Sequence, residues 1–254
     1  PTEYVGLQSY PFFPFGNHLV FQGYTSCSGG GGSHHPGCQV GFWILHNISS
    51  GFSPTPSYSV YTNEEIDPIT FEVPNQVSYN GNGTAWMVKD VVPGGYSSHP
   101  ESLTAMGNMF FFSAFSDDNT WNSNKELWKS DGTASGTVMV KDIRSGSSSS
   151  WPDGFTAIGN TLYFSADDGT NGNELWKSDG TASGTVMVKD INASGNSNSY
   201  AHTAIGNTLY FWADDGTNGY ELWISDGTAS GTEMVENIRP GNTGYPVYGG
   251  IVGI

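Results

Sequence analysis

One unit of roughly 47 residues recurs along this chain, and the recurrence restricts the fold more than any other feature of the sequence. The string ELWKSDGTASGTVMVKDI begins at Glu126 and again at Glu174, and a variant, ELWISDGTASGTEMVENI, begins at Glu221, so the spacings are 48 and 47 residues. A second string, TAIGNTLYF, begins at Thr156 and Thr203. The repeated units therefore share one order of parts and are expected to share one local fold.

The third unit illustrates how the pattern predicts strands. Gly159 and Asn160 stand between two apolar runs, which is typical of a hairpin turn. The elements predicted after this turn are a strand over 162–165, an Asp-rich turn, a strand over 174–177, a turn over 178–184 and a strand over 185–189. Together with the apolar segment before the Gly-Asn pair, each unit has four short antiparallel strands.

A diverged unit precedes these three. Its string FPFGNHLVF aligns with the hairpin of the later units, Trp43 takes the place of the repeated tryptophan, and residues 86–90 close the unit. A methionine follows the tryptophan after 11 residues in the second and third units but after 44 in this one, which predicts an insertion of 33 residues, roughly 47–83. Strand-like stretches within it favour a β-hairpin excursion, and a surface loop is the alternative.

The sequence therefore predicts an all-β, propeller-like fold with about four four-stranded blades in a single domain, because each such sheet buries its faces against two neighbours. The 35 glycines and 14% aromatic residues agree with short strands and tight turns around an aromatic core. The expected units are residues 1–95, 96–147, 148–195 and 196–241, with a partial extra unit over 242–254.

The repeated strings, exemplified by Glu126, Trp128 and Asp131, resemble the ELWxxDGT repeat, found in tandem in large secreted or surface-attached proteins of bacteria and some algae. Three units match over roughly residues 103–241, whereas the first lacks the Asp-Gly-Thr turn. The resemblance implies propeller-like folding and an extracellular setting. It implies no catalytic activity, because the repeated residues of that family are structural.

Charge restricts the partners. The chain has 24 acidic and 8 basic residues and a formal net charge of −16, so nucleic acid and anionic lipid surfaces are disfavoured. No apolar run approaches the roughly 18 residues that a membrane span needs, so membrane insertion is not expected. The six histidines do not recur in register, and no GxSxG, HExxH or phosphate-loop motif is present. We therefore do not predict an enzyme.

Several features favour an oxidising, extracellular compartment. Cys27 and Cys38 flank a glycine-rich loop and are predicted to form a disulfide, with two unpaired thiols or a weak Cys/His metal site as alternatives. Three Asn-X-Ser/Thr sequons, at Asn47, Asn82 and Asn192, are predicted to be exposed and available for glycosylation.

The Asp-rich turns are candidate Ca²⁺ sites, because they place oxygen ligands at short spacing beside glycines. The candidate ligands are Asp167, Asp168, Asn171, Glu174, Asp214, Asp215, Asn218 and Glu221. Ordinary turn chemistry is the alternative, since Asp-Gly and Asn-Gly pairs form hairpin turns without a metal. No other cofactor is predicted.

Two further sets of repeated residues are interpreted as structural. The tryptophans are expected in the core between blades rather than as stacking platforms for sugars. The aspartates of the Asp-Gly-Thr strings are expected to accept local backbone hydrogen bonds. These two sets comprise Trp43, Trp128, Trp176 and Trp223, and Asp131, Asp179 and Asp226.

The two ends of the chain resemble the same piece of a blade, since residues 232–235 resemble 2–5 and residues 245–246 resemble 10–11. A closed ring of four blades has room for one terminal copy, so the other is predicted to insert into a neighbouring subunit by strand addition. Packing on its own subunit is the alternative. The residues expected at this interface are Thr2, Tyr4, Val5, Tyr10, Phe12, Phe13, Tyr245, Val247, Tyr248, Ile251, Val252 and Ile254.

These observations favour a structural role. The leading hypothesis is a glycosylated subunit of an extracellular filament or surface assembly, polymerising head to tail with copies of itself. The alternative is an extracellular module that binds a glycan or a protein through the propeller face or the insertion. Attached or bound glycans are expected partners in both cases.

Overall fold

Every regular element that the structure describes is a β-strand. The computed structural model describes residues 88–92, 98–116, 124–238 and 240, except the side chain of residue 201, and it gives the backbone course of five strands between residues 5 and 87. Within these ranges there is no α-helix, and no helix long and apolar enough to cross a membrane. The prediction of an all-β fold is confirmed.

The first sheet has five strands rather than the four predicted. Its strands are β1 (Val5–Gly6), β2 (Phe13–Phe15), β3 (His18–Thr25), β4 (Val40–His46) and β5 (Ala85–Met87). Their order is β1-β3-β4-β5, and β2 also pairs with β3. The strand β3 has eight residues, which is long enough for two short partner strands on the same edge. Its first three residues pair with β2 and its last two pair with β1.

The alignment of the first unit with the later ones is confirmed by strand register. Trp43 lies opposite Met87, although 43 residues separate them in the sequence. The same pairing occurs once in each of the other sheets, between Trp128 and Met139, Trp176 and Met187, and Trp223 and Met234. The predicted insertion 47–83 lies outside the described residues.

The remaining three sheets each have four antiparallel strands in chain order. The second sheet contains β6 (Glu101–Met106), β7 (Met109–Phe115), β8 (Lys125–Ser130) and β9 (Val138–Lys141). The third contains β10 (Asp153–Ile158), β11 (Thr161–Asp167), β12 (Asn173–Ser178) and β13 (Val186–Lys189), and the fourth contains β14 (Tyr200–Ile205), β15 (Thr208–Asp214), β16 (Tyr220–Ser225) and β17 (Glu233–Glu236). Each strand predicted in the third unit overlaps an observed one, and the hairpin glycine Gly159 has the positive φ of 58° that such a turn needs.

Neighbouring sheets pack through the repeated tryptophans. Trp176 lies in one buried cluster with Phe111 and Leu127 of the preceding sheet, and Trp223 lies in another with Leu175. Both tryptophans are only 6% exposed. The prediction that they form the core between sheets is confirmed, and burial to this degree leaves no ring face for a sugar.

The first strands of successive sheets lie near one another. β10 contacts both β6 and β14, and β2 contacts β6. On the other side of the second sheet, Trp128 is 7% exposed and packs with Val88, which follows β5. The sheets therefore follow one another with their first strands together and apolar side chains between their faces.

The Asp-Gly-Thr strings form compact turns held by their own side chains. Asp179 Oδ1 accepts hydrogen bonds from the Thr181 N–H (2.8 Å) and hydroxyl (2.7 Å), and these bonds lower the pKa of Asp179. Thr181 Oγ1 in turn accepts the Gly184 N–H at 3.0 Å. The other two copies repeat these contacts, so the prediction of turn formers is confirmed for Asp131, Asp179 and Asp226.

Lysine side chains join the second sheet to the third and the third sheet to the fourth. Lys129 Nζ donates to the Gly180 carbonyl at 2.8 Å, and Lys141 Nζ donates to the Thr185 carbonyl at 2.8 Å. The contact between the third and fourth sheets repeats both bonds. A bond from a charged donor is stronger than a neutral one, so these lysines fix the relative position of successive sheets.

A partly buried histidine crosses from the fourth sheet to the third. The neutral ring of His202, protonated at Nδ1, donates to the Gly154 carbonyl at 2.6 Å and accepts the Ser199 hydroxyl at Nε2 (3.2 Å). Burial lowers the pKa of His202 to about 4, although the bond to Gly154 and the nearby Asp153 carboxylate oppose that change. Protonation of this ring is therefore coupled to unfolding.

We expect acid to destabilise the protein through His202. Between about pH 6.5 and about pH 4 the unfolded chain binds the proton and the folded protein does not, so the free energy of unfolding falls by up to about 3 kcal/mol as the pH is lowered. Phe155 occupies the equivalent position of β10, so His202→Phe is a compatible replacement. Urea unfolding across this pH range should show a flatter profile for His202→Phe. Identical profiles for His202→Phe and the wild type would contradict the assignment.

Candidate functional site

The Asp-rich turns use their carboxylates to hold their own backbone. Asp168 Oδ1 accepts the N–H groups of Thr170 and Asn171 at 2.8 Å each, and its Oδ2 accepts the Asn171 side-chain amide at 2.7 Å. Partial burial acts to raise the pKa of Asp168, but these hydrogen bonds outweigh it and lower the pKa. Asp215 makes the same three bonds in the fourth sheet. Turn chemistry therefore accounts for Asp168, Asn171, Asp215 and Asn218.

The glutamates that the sequence grouped with these turns point elsewhere. Glu174 is fully buried and accepts the N–H groups of Ile191 and Ser197 at 2.9 Å each. Glu221 is 2% exposed and accepts the Ile238 N–H at 2.9 Å. Both carboxylates therefore hold the loop that follows the fourth strand of their own sheet.

The remaining candidate ligands also have structural partners. Asp167 accepts the Gly169 N–H at Oδ1 (2.6 Å) and pairs with the Arg144 guanidinium at Oδ2 (2.6 Å), and Asp214 accepts the Gly216 N–H at 2.7 Å. In the described part of the chain, no three His, Cys, Asp or Glu side chains form a group that could hold a metal ion. Ca²⁺ binding by these turns therefore stays a prediction.

The sequon at Asn192 is not exposed as predicted. Asn192 is 8% exposed, its Nδ2 donates to the Asn196 carbonyl at 3.1 Å, and its Oδ1 accepts from Ser194. The prediction of exposure was wrong because the loop folds back on itself and lies against the turn at Gly216. Asn47 and Asn82, like Cys27 and Cys38, lie outside the described residues, so their modification stays a prediction.

Of the residues predicted at a subunit interface, two lie in described strands. Val5 pairs with Thr25, and Phe13 pairs with Val20, so both belong to the first sheet of their own chain. Val5 thus lies beside β3 and does not repeat the outer Met-Val strand that its sequence resembles. The other predicted interface residues, Thr2, Tyr4, Tyr10, Phe12, Tyr245, Val247, Tyr248, Ile251, Val252 and Ile254, lie outside the described residues.

Two apolar side chains on the fourth sheet are exposed where their counterparts in the described sheets before it are buried. Val235 in β17 is 47% exposed, and Ile238 just after it is 61% exposed. Equivalent side chains of the second and third sheets are only 6 or 7% exposed, namely Val140, Val188, Ile143 and Ile191. Those four are covered by the sheet that follows in the chain. We call the surface formed by Val235 and Ile238 the end face.

The end face also lacks the lysines that join the other sheets. Ile224 stands where Lys129 and Lys177 donate to the next sheet, and Glu236 stands where Lys141 and Lys189 do. The first sheet, for its part, has no Asp-Gly-Thr string, whose glycine supplies one of the two accepting carbonyls. Among the strands that the structure describes, none of β14–β17 makes extensive contact with β1–β5.

No family model matches this chain. No curated protein matches its sequence either. Among solved structures, an acylaminoacyl peptidase of Pyrococcus horikoshii in an orthorhombic crystal form is similar, with 10% identity and a TM-score of 0.39. The match covers 87% of this chain but 36% of the peptidase chain, so the chain spans about a third of that protein's length.

The residues of the end face were not identified from the sequence. Their signal is the departure of the last unit from the repeat, where ELWI replaces ELWK and VEN replaces VKD. In this unit, therefore, both of the lysine positions that join the second and third sheets to the next sheet have lost the lysine.

Proposed function

We propose that this chain is a structural subunit of an extracellular filament or surface assembly that grows head to tail. The observation that carries the proposal is the end face, where Val235 and Ile238 are exposed although their counterparts are buried. Exposed apolar side chains along a sheet edge favour association with another chain. We assign the first sheet of a second copy as the partner of the end face. The equivalent surfaces of the second and third sheets are each covered by another antiparallel β-sheet of the chain.

The chemistry of the junction supports this occupant. The end face lacks both lysine donors, and the first sheet lacks the Asp-Gly-Thr turn whose glycine carbonyl would accept one of their hydrogen bonds. The two surfaces therefore match each other better than either matches a repeat of the standard kind. A contact between the last sheet of one copy and the first sheet of the next uses two different surfaces, and such a contact builds an open chain when it does not close.

In this proposal the four sheets are blades of a propeller-type arrangement with their first strands innermost. Segment 245–254 is donated to the neighbouring copy at the junction, because a strand donated to an exposed edge satisfies its backbone groups, whereas β1 and β2 stay in the first sheet of their own chain. The resemblance to the ELWxxDGT repeat supports an extracellular setting, in which glycans on Asn47 and Asn82 coat the assembly.

Introducing negative charge into the end face should abolish assembly. The full chain is expected to form filaments in negative-stain images as its concentration is raised, and to sediment as species much larger than a monomer. The variant Val235→Glu/Ile238→Glu should remain monomeric, because burying two carboxylates without partners is costly. Far-UV circular dichroism should show the native fold, since both side chains are exposed in the subunit.

The matched control is Val186→Glu. Val186 is 37% exposed on the fourth strand of the third sheet, and the fourth sheet has Glu233 at that position, so the fold accepts the change and assembly should persist. Deleting residues 245–254 tests the donated strand separately. A wild-type protein that stays monomeric at its highest soluble concentration contradicts the proposal, as does a Val235→Glu/Ile238→Glu variant that still forms filaments.

A further inference from the structure

A polar cleft of about 320 Å³ opens beside the beginnings of the first strands. Glu101 begins β6, Asp153 begins β10, and Asn198 precedes β14, so residues of three sheets meet there. Its size lies within the range of pockets that bind small ligands. The end face lies elsewhere on the fourth sheet, so the assembly proposed above does not require this cleft.

One wall of the cleft is Trp151. It is 44% exposed and is the single aromatic residue among the exposed large apolar side chains of the described residues. The Phe115 ring meets the indole edge to face, with centroids 5.9 Å apart, and the Lys125 Nζ lies 5.4 Å from the indole centroid. These contacts hold the indole in one position while part of it faces solvent. An exposed aromatic ring fixed in this way is a ready platform for stacking.

The repeats differ from one another at this cleft although their motifs are nearly identical. One position just before the first strand of each of these three sheets has a positive φ. It is occupied by a different residue each time: His99 (41°), Trp151 (51°) and Asn198 (45°), each of which follows a serine. The backbone is therefore constant while the side chain changes. The first residue of the third strand varies likewise, as Lys125, Asn173 and Tyr220. Among the described units, this combination of lining residues therefore occurs at one cleft.

The polar groups of the cleft suit hydroxyl recognition. Lys125 is buried, and its Nζ pairs with the Glu101 carboxylate. Asp153 Oδ1 accepts the Ser102 hydroxyl at 2.7 Å, which leaves its second oxygen as an acceptor. The side-chain amides of Asn173 and Asn198 make no hydrogen bond within the described part of the chain, and each can donate and accept. The cleft therefore offers acceptors and amide donors beside an aromatic surface.

Charge decides which ligand class fits. The two carboxylates, Glu101 and Asp153, outnumber the one ammonium of Lys125, and the chain has a formal net charge of −16, so phosphates, sulfates and uronates are repelled. A neutral sugar matches both parts of the site, because its C–H face stacks on an indole and its hydroxyls pair with carboxylates and amides. We propose that this cleft binds an uncharged hexose unit of a glycan, with Trp151 as the stacking residue.

The test uses the purified full chain on an array of neutral oligosaccharides, such as glucans, mannans and chitin fragments, with uronate oligosaccharides for comparison. Bound sugars are then titrated by calorimetry and by saturation-transfer NMR. We expect at least one neutral oligosaccharide to bind and uronates to bind more weakly. Trp151→Asn should weaken that binding at least about tenfold, and Asn is compatible with this backbone because Asn198 has the same left-handed conformation.

The control Ile205→Asn removes another exposed apolar side chain, 39% exposed, away from the cleft, and it should leave sugar binding unchanged. Assembly of the Trp151→Asn variant should also be unchanged, which separates this site from the end face. The proposal is overturned if no neutral oligosaccharide binds at up to about 10 mM, if uronates bind best, or if Trp151→Asn binds the sugar as tightly as the wild type.

Discussion

Replacing Trp176 by alanine is expected to lower the free energy of unfolding by about 3 to 5 kcal/mol. The indole is 6% exposed and packs against Phe111 and Leu127 of the preceding sheet, so its removal leaves a cavity in the core between two sheets. The Lys141 Nζ lies 5.7 Å from the same ring, and that cation–π contact is lost as well.

Trp176→Phe separates packing from polar effects at this position. The indole Nε1 is buried without a hydrogen-bond partner among the described residues, so phenylalanine retains a ring and removes an unsatisfied N–H. We expect Trp176→Phe to lose less than half of what Trp176→Ala loses. Trp223 differs, because its Nε1 donates to the Ala213 carbonyl at 3.1 Å, so Trp223→Phe should cost more than Trp176→Phe.

Urea unfolding followed by far-UV circular dichroism measures these differences without relying on tryptophan fluorescence. The exposed Trp151 provides the control, since Trp151→Asn changes an indole outside the core between sheets and should have a much smaller effect. A loss below about 1 kcal/mol for Trp176→Ala would mean that the sheets do not depend on this contact.

The strands of the repeated units could be predicted from the sequence because local chemistry defines them. Gly159 and the Asp-Gly-Thr turn at Asp179 set the ends of the strands through a positive φ and through bonds within three residues. The pairing of Trp43 with Met87 could be predicted too, because it repeats a pairing of the later units. The fifth strand of the first sheet could not, since β1 and β2 divide between them a position that one strand fills elsewhere.

The roles of Glu174 and Asn192 could not be read from local spacing. Glu174 stands three residues after Asn171 in the sequence, but its hydrogen-bond partners lie 17 and 23 residues further on. Asn192 stands in a Ser/Asn/Gly-rich stretch typical of an exposed loop, yet it is buried against the following sheet. Local spacing could not reveal the partners of either side chain, because they are brought near only by the folding of the loop after β13.

The two candidate sites depend on differences between units rather than on the repeat itself. In the sequence, the end face is marked by ELWI where the other units have ELWK. That change has a meaning only once the structure shows that the lysine bonds to the next sheet. The cleft combines residues from units about 50 residues apart, and no single unit contains it. A motif search emphasises what the units share, whereas these sites lie where they differ.

Removing the acceptor at Glu174 is the second substitution with a large expected effect. The carboxylate lies in β12, is fully buried, and accepts the Ile191 and Ser197 N–H groups at 2.9 Å each. Because Ser197 precedes the first strand of the fourth sheet, this one side chain joins the third sheet to the loop that leads into the next. Glu126 makes the equivalent bonds to Ile143 and Ser150.

Two variants separate the loss of charge from the loss of both acceptors. Glu174→Gln places an amide N–H opposite one of the backbone donors, which should cost about 1 to 3 kcal/mol. Glu174→Leu leaves two buried N–H groups without acceptors and should cost about 2 to 6 kcal/mol. Burial raises the pKa of Glu174 against the opposing hydrogen bonds, so the variants are best compared at one pH well above the ordinary carboxyl range, near about pH 8.

Asp179→Asn is the matched acid-to-amide control, because Asp179 is exposed and its amide replacement can still accept the Thr181 N–H. It should change stability little. Hydrogen exchange adds a local measurement, since the amides of Ile191 and Ser197 should lose protection in both Glu174 variants before the sheets unfold. If Glu174→Leu is as stable as the wild type, or if those two amides remain protected, then the buried carboxylate does not hold the loop between sheets, and the rigid succession of sheets must depend on the tryptophans and lysines alone.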